Sequence, residues 1–220
     1  MISRTGLKGL AAATMVVDHV GVVLLPQLWL LRCVGRLAFP IYAFFLAQGF
    51  RYTKSRAKYL ARLAGFALLS EIPFDYMVYG QAFAWQGQNV MFTLALALLA
   101  LACLEKGGWW MTGAVACCLA AEALRTDYGS FGVLLPVTFF YLWPRGKGLW
   151  ALVFLAMCWL WEFAPIPGAS VPMEALGVAA ALPLALYHGG RGTEGPVVRW
   201  GFYAVYPLHM GVLALIAGLA

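Results

Sequence analysis

Residues 7–25 read LKGLAAATMVVDHVGVVLL, a run that holds one lysine, one aspartate and one histidine and is otherwise small or apolar. Its length is what a helix needs to cross a bilayer, about 20 residues. A plain anchor avoids a pair such as Asp18-His19, because a carboxylate at bilayer depth costs about 2.5–3.5 kcal/mol on insertion scales. No small-residue cleavage site follows, so the run reads as a retained span and not as a signal peptide.

Working outward, apolar runs between charged or Pro/Gly-rich breaks give nine segments: about 7–25, 36–50, 60–79, 89–104, 109–124, 129–143, 149–163, 172–188 and 200–218. The composition agrees. The chain is 63% hydrophobic and 11% charged, against roughly 45–50% and 25% in soluble domains. This excludes a soluble enzyme and a disordered chain. The expected fold is all-α, a polytopic membrane helix bundle of about nine spans forming one integral membrane domain over 1–220.

The net charge of +6 is read as topology and not as a nucleic-acid surface. With the N-terminus cytoplasmic, twelve of the fifteen Lys and Arg fall inside, and Arg32, Arg36 and Arg125 fall outside. The C-terminus is then external. Trp29, Trp85, Trp109, Trp143, Trp150 and Trp200 lie near expected helix ends, where indoles favour the interface. The acidic residues distribute the other way. Asp18, Glu71, Asp75, Glu122, Asp127, Glu162 and Glu174 fall in the outer half, and Glu105 and Glu194 inside. The result is a basic inner rim and a mixed polar zone near the outer face.

Five cysteines, Cys33, Cys103, Cys117, Cys118 and Cys158, make no CxxC or Cys/His metal pattern, so no metal is expected. Asp18 and His19 are helix neighbours about 100° apart, so each is expected to face a different partner. His19 is a candidate general base, because histidine titrates in the range that acyl transfer requires; a structural role for the pair is the alternative. Arg32 and Arg36 are spaced i,i+4, as are Glu71 and Asp75 with Pro73 between them. The diarginine patch is expected to relieve the two carboxylates, as supporting architecture. Arg51, Lys54, Arg56, Lys58 and Arg62 form the densest single-sign patch. It suits topology, anionic lipid heads or a phosphorylated cofactor. His209 follows Pro207, whose mid-helix position is expected to aim it at a cavity or partner. His188 reads as a solvated residue at an inner helix end.

Several motifs then resemble one family from end to end. They are Asp18-His19-x-Gly21, Arg32-x2-Gly35-Arg36-Leu37-Ala38-Phe39-Pro40-Ile41-Tyr42-Ala43-Phe44 with Gly49-Phe50, and Tyr59-x2-Arg62-Leu63. Next come Ser70-Glu71-Ile72-Pro73-Phe74-Asp75, Asn89-Val90-Met91-Phe92-Thr93-Leu94, Asp127-Tyr128-Gly129 and Tyr206-Pro207-Leu208-His209. The chain resembles the TraX family, membrane proteins named for the F-pilin N-acetyltransferase. About 105–121 and 145–195 carry little that is family-specific.

The resemblance implies acetyl transfer from cytosolic acetyl-CoA to an acceptor amine, peptide or glycan near the outer face of the inner membrane, in pilins to the processed N-terminus. It also implies kinship with heparan-α-glucosaminide N-acetyltransferase. On this reading Arg51, Lys54, Arg56, Lys58 and Arg62 hold the CoA phosphates. His19 or His209 takes the acceptor's proton or carries the acetyl group, and Asp18 orients a histidine. Asn89 and Tyr206 are candidate donors to the thioester oxygen. Arg32, Arg36, Glu71, Asp75 and Asp127 either contact the substrate or support the residues that do. The partners are the bilayer, acetyl-CoA and the acceptor. A proton-coupled transporter and a lipid-binding subunit remain as rival readings.

Overall fold

The computed structural model describes residues 2–161, 163–187, 189 and 195–219. Glu162, His188, Arg191, Glu194 and Ala220, together with the Arg199 side chain, lie outside that description. The described chain is all-helical, with isolated bridges and no named strand. Three stretches are long and apolar enough to cross a membrane: Arg4–Val23, Trp29–Tyr52 and Trp200–Gly218.

The elements are α1 (Arg4–Val23), α2 (Trp29–Gly35), α3 (Ala38–Tyr52), α4 (Arg56–Tyr79), α5 (Val90–Lys106) and α6 (Met111–Ala123). They continue with α7 (Gly129–Tyr141), α8 (Lys147–Leu160), α9 (Ala181–Ala185) and α10 (Pro196–Leu219). Local chemistry sets several starts. Ser3, Ser55 and Asn89 each accept a hydrogen bond from a backbone N–H of the following turn, from Gly6, Lys58 and Met91. This is the N-cap role of short oxygen-bearing side chains. Gly80, at φ 70°, closes α4 in the left-handed conformation that glycine adopts without a Cβ penalty.

Helix α5 lies at the centre, packed by α3, α4, α6 and α7; α1 packs on α2, α3 and α10, and α10 on α4. Ala97, Ala100 and Leu101 of α5 are buried. Large apolar side chains such as Leu68, Leu69, Leu152, Leu160 and Leu215 face outward and are exposed, the arrangement of helices surrounded by lipid and not by water. Phe139 of α7 stacks on Trp150 of α8, Trp150 on Phe154, and Phe154 meets Phe131 of α7 edge to face.

Eight of the nine expected segments coincide with α1, α3, α4, α5, α6, α7, α8 and α10 to within four residues. Two features differ. Helix α2, seven residues long, lies outside the expected segment 36–50, and with α3 it makes up the membrane-capable stretch Trp29–Tyr52. The segment 172–188 is a 3-10 stretch, Met173–Ala180, followed by the five-residue α9, because Pro172, Gly177 and Pro183 deny it a continuous helix. That stretch carries Glu174 into the polar zone. Helices α4 and α10 run unbroken through Pro73 and Pro207.

Candidate active site

Among the cavities between the described residues, two are lined by the polar groups singled out in the sequence. The first, of about 420 Å³, is lined by Asp18, His19, Arg32, Arg36, Asp127 and Tyr206 among others. The second, of about 310 Å³, is lined by Arg4, Lys8, Tyr59, Arg62 and Tyr203 among others. We call them the histidine and arginine cavities. On α1, Lys8 lines one and His19 the other, a separation of about 16 Å at 1.5 Å per residue. Tyr42 on α3 lines both, and it is the residue that the two linings share.

In the histidine cavity, His19 Nδ1 lies 2.5 Å from His209 Nε2, and the two rings are nearly coplanar, with planes 7° apart and centroids 4.8 Å apart. His209 Nδ1 is 2.7 Å from the Val205 carbonyl oxygen. A carbonyl only accepts, so His209 carries its proton on Nδ1. Neutral His209 then presents a lone pair at Nε2, and His19 must donate from Nδ1. Neutral His19 is left with its lone pair on Nε2, which makes no hydrogen bond among the described residues. The contacts alone thus fix the tautomers, and His19 is the member of the pair that lines the cavity.

Asp18 faces elsewhere, as expected of a helix neighbour. Its Oδ1 accepts from Arg32 Nε at 3.0 Å and Arg36 Nη2 at 2.5 Å. Arg36 also bonds Glu174, and its Nη1 donates to the Tyr128 hydroxyl at 3.2 Å. Gly35 makes this possible, because a Cβ there would overlap the Asp18 side chain. The diarginine patch therefore neutralises Asp18 and Glu174, not Glu71 and Asp75 as expected. Glu71 instead bonds Asn89, and Asp75 Oδ2 accepts from the Ala84 N–H at 2.7 Å. Helices α1 and α2 are direct packing partners, whereas α4 sits against α5 and α10. Helix α2, absent from the expected segments, is what turns the arginines toward Asp18.

Asn89 is fully buried. Its amide nitrogen donates to the Ala67 carbonyl at 2.8 Å and to Glu71, and it lines neither cavity. It is committed to joining α4 and α5. Tyr206 lines the histidine cavity, and its hydroxyl accepts from the Val90 N–H at 3.4 Å.

Asp127 sits in the loop between α6 and α7 with its side chain open to the histidine cavity. Its backbone is pinned on both sides, since its N–H donates to Gln88 O at 2.8 Å and its carbonyl accepts from Thr93 Oγ1 at 2.5 Å. Flanking Arg125 and Tyr128 have φ of 53° and 65°, a left-handed conformation that costs non-glycine residues about 1–3 kcal/mol each. Tyr128 offsets this by stacking on Phe39 at 4.1 Å. Loss of hydration at the cavity wall pushes the Asp127 carboxyl up to about 6, against the pull of nearby Arg36; Asp18 and Glu174 add to the rise.

At the arginine cavity, the five expected cationic residues separate. Arg62 lines the cavity, its guanidinium 5.4 Å from the centre of the Tyr59 ring and its Nε buried without a hydrogen-bond partner. Arg51 donates to the Phe140 carbonyl at 3.0 Å, and Arg56 makes a two-point bridge to Glu105. Lys54 and Lys58 are exposed on the rim.

With this geometry in view, the TraX protein family profile matches residues 3–217. The chain belongs to the TraX family. Among curated relatives, a probable fimbrial assembly protein FimC of Dichelobacter nodosus is 30% identical, over 94% of this chain and 92% of its own. Protein TraX of Escherichia coli K12 is 29% identical, over 96% and 87%. No solved structure matches the chain.

Sequence reasoning missed several residues of this TraX-family site. Glu174 lies in a stretch without family motifs and reaches Arg36 only through the 3-10 turn. Arg4 and Lys8 precede the first polar pair and carried only a topological signal. Tyr42 stood inside a quoted motif, but nothing in spacing shows that one ring touches two cavities.

Proposed function

We propose that this TraX-family protein is a multi-pass inner-membrane acetyltransferase that takes acetyl-CoA at the arginine cavity and passes its acetyl group to an acceptor amine in the histidine cavity. The cationic excess at the Arg4, Lys8 and Arg62 end supports a cytoplasmic position for that end, with nine spans and an external C-terminus. The orphaned Arg62 Nε suits a phosphate, since a buried donor without a partner costs about 1–3 kcal/mol until an acceptor arrives. The observation that carries the reading is the His19–His209 contact, which leaves His19 Nε2 without a partner among the described residues, beside a cavity that shares Tyr42 with the arginine cavity.

The chemistry follows from that placement. The acceptor's neutral nitrogen attacks the thioester carbonyl carbon, and the carbonyl electron pair moves to oxygen. His19 Nε2 takes the nitrogen's proton as the C–N bond forms. The oxyanion collapses, the C–S bond breaks and CoA leaves as thiolate, which regains a proton from the His19 imidazolium. His209 accepts from His19 Nδ1–H throughout and keeps Nε2 aimed at the cavity. The Asp18–Arg32–Arg36–Glu174 lattice fixes α1, α2 and the 3-10 turn around the reacting atoms. The fimbrial-assembly name of the Dichelobacter relative supports a pilin-like N-terminus as the acceptor.

The test is release of free CoA from acetyl-CoA with a small amine acceptor by purified protein. His19→Ala should lower the rate by about 10²–10⁴-fold with acetyl-CoA affinity retained. Near-normal turnover in that variant would refute the assignment of the base. Amine flux into proteoliposomes without CoA release would favour the transporter reading.

A further inference from the structure

We infer that Tyr42 is a catalytic residue, its phenolic O–H donating to the carbonyl oxygen of the acyl thioester between the two cavities. This rests on the acetyl-transfer reading and names a donor that the reading leaves open.

The argument begins with position. On that reading, a thioester in the arginine cavity and an amine in the histidine cavity meet beside a residue that both cavities share. Tyr42 is the side chain that lines both. Its ring is half-buried, and among the described residues its hydroxyl makes no hydrogen bond. A phenol that lines both cavities and makes no hydrogen bond among the described residues keeps its O–H free to donate to a bound carbonyl oxygen.

The other candidate donors are committed or line one cavity at most. Asn89 gives its amide to Ala67 and Glu71 and lines neither cavity. Tyr128 accepts from Arg36 and lines the histidine cavity only. Tyr206 lines the histidine cavity only, and Tyr59 and Tyr203 the arginine cavity only.

The chemistry requires such a donor. When the amine attacks, the carbonyl oxygen gains the electron pair of the broken π bond and becomes an oxyanion. A hydrogen-bond donor fixed in place beforehand stabilises that charge more than it stabilises the ground-state carbonyl, and so speeds the step. Tyr42 keeps its proton throughout. The amine's proton goes to His19, and the leaving group remains CoA thiolate.

The experiment uses the full-length protein in nanodiscs with acetyl-CoA and hydroxylamine as a small amine probe, following CoA release. Tyr42→Phe keeps the ring that the two cavities share and removes only the donor. The expected result is a fall in kcat of about 10²-fold, with KM for acetyl-CoA and the thermal unfolding midpoint unchanged. A second readout needs no turnover. The infrared carbonyl stretch of ¹³C-labelled acetyl-CoA should shift to lower frequency on binding wild-type protein, and the shift should vanish in Tyr42→Phe. Wild-type turnover with a Tyr42→Phe kcat within about twofold of it, or an unchanged infrared shift in the variant, overturns the Tyr42 inference and leaves the acetyl-transfer reading standing. No catalysed CoA release and no acetyl-CoA binding by wild-type protein removes both.

Discussion

His19 and His209, 190 residues apart in sequence, meet through one hydrogen bond of 2.5 Å between Nδ1 and Nε2. The bond closes α1 against α10, and it sets which ring nitrogen of His19 is free. His209 is thereby a positioning residue: it touches His19 and the Val205 carbonyl but does not line the cavity.

That relationship predicts a graded response. His209→Ala leaves the His19 Nδ1 proton without an acceptor and should lower kcat by about tenfold or more while sparing acetyl-CoA affinity. His209→Gln offers a side-chain oxygen to the same proton and should recover part of the loss. Equal kcat in the two variants would mean that His209 does not set the tautomer.

Asp18 and Arg36 are buried, at 8% and 6% exposure, and bonded. Removing one partner of such a pair leaves an uncompensated charge, at a cost of about 3–5 kcal/mol. Asp18→Asn should therefore lower the thermal midpoint far more than Glu105→Gln, whose bridge to Arg56 is exposed on both sides and worth about 1 kcal/mol or less. Gly35→Ala should act like Asp18→Asn, since the added methyl displaces the same carboxylate. Matching thermal midpoints for Asp18→Asn and Glu105→Gln would show that the lattice does not hold the site.

Arg62 should dominate acetyl-CoA affinity at the basic end. Arg62→Ala is expected to weaken binding by about tenfold or more, the value of one charge-assisted hydrogen bond. Lys54→Ala and Lys58→Ala, on the exposed rim, should change it by about twofold or less at physiological salt. Calorimetric titration separates the cases, and equal losses at all three positions would assign the effect to general charge.

Asp127 gives a pH signature. Its carboxyl ionises near 6 in the folded protein and at 3.8 in its ordinary state, so folding holds its proton more tightly. Its stabilising contribution is full below about 4 and is lost as pH rises through about 6. Asp127→Asn, which never ionises, should be the more stable protein at pH 7 and should lose that advantage near pH 4. A thermal-midpoint difference that stays constant across this range would contradict the raised value.

The helical class and most helix positions were legible because an apolar run bounded by charge is a long, redundant signal. Residues 7–25 and α1 agree within three residues at each end. The site was legible in its parts and not in its pairing. His19, Asp18, Arg36 and His209 stand out as polar groups in apolar surroundings. Which carboxylate an arginine meets depends on the tertiary path of α2 and on a 3-10 turn that carries no periodic signal. The basic loop was read by charge density, whereas cavity access distinguishes Arg62 from Arg51 and Arg56, both of which bind neighbouring chain atoms.

The most direct test of the central claim is binding of radiolabelled acetyl-CoA, which does not cross a bilayer, to sealed membrane vesicles of defined orientation. Inverted vesicles expose the cytoplasmic face and should bind it saturably, with affinity reduced in Arg62→Ala and retained in His19→Ala. Right-side-out vesicles should bind none. Binding confined to right-side-out vesicles, or absent from both, would contradict an acetyltransferase that draws acetyl-CoA from the cytoplasm through the arginine cavity.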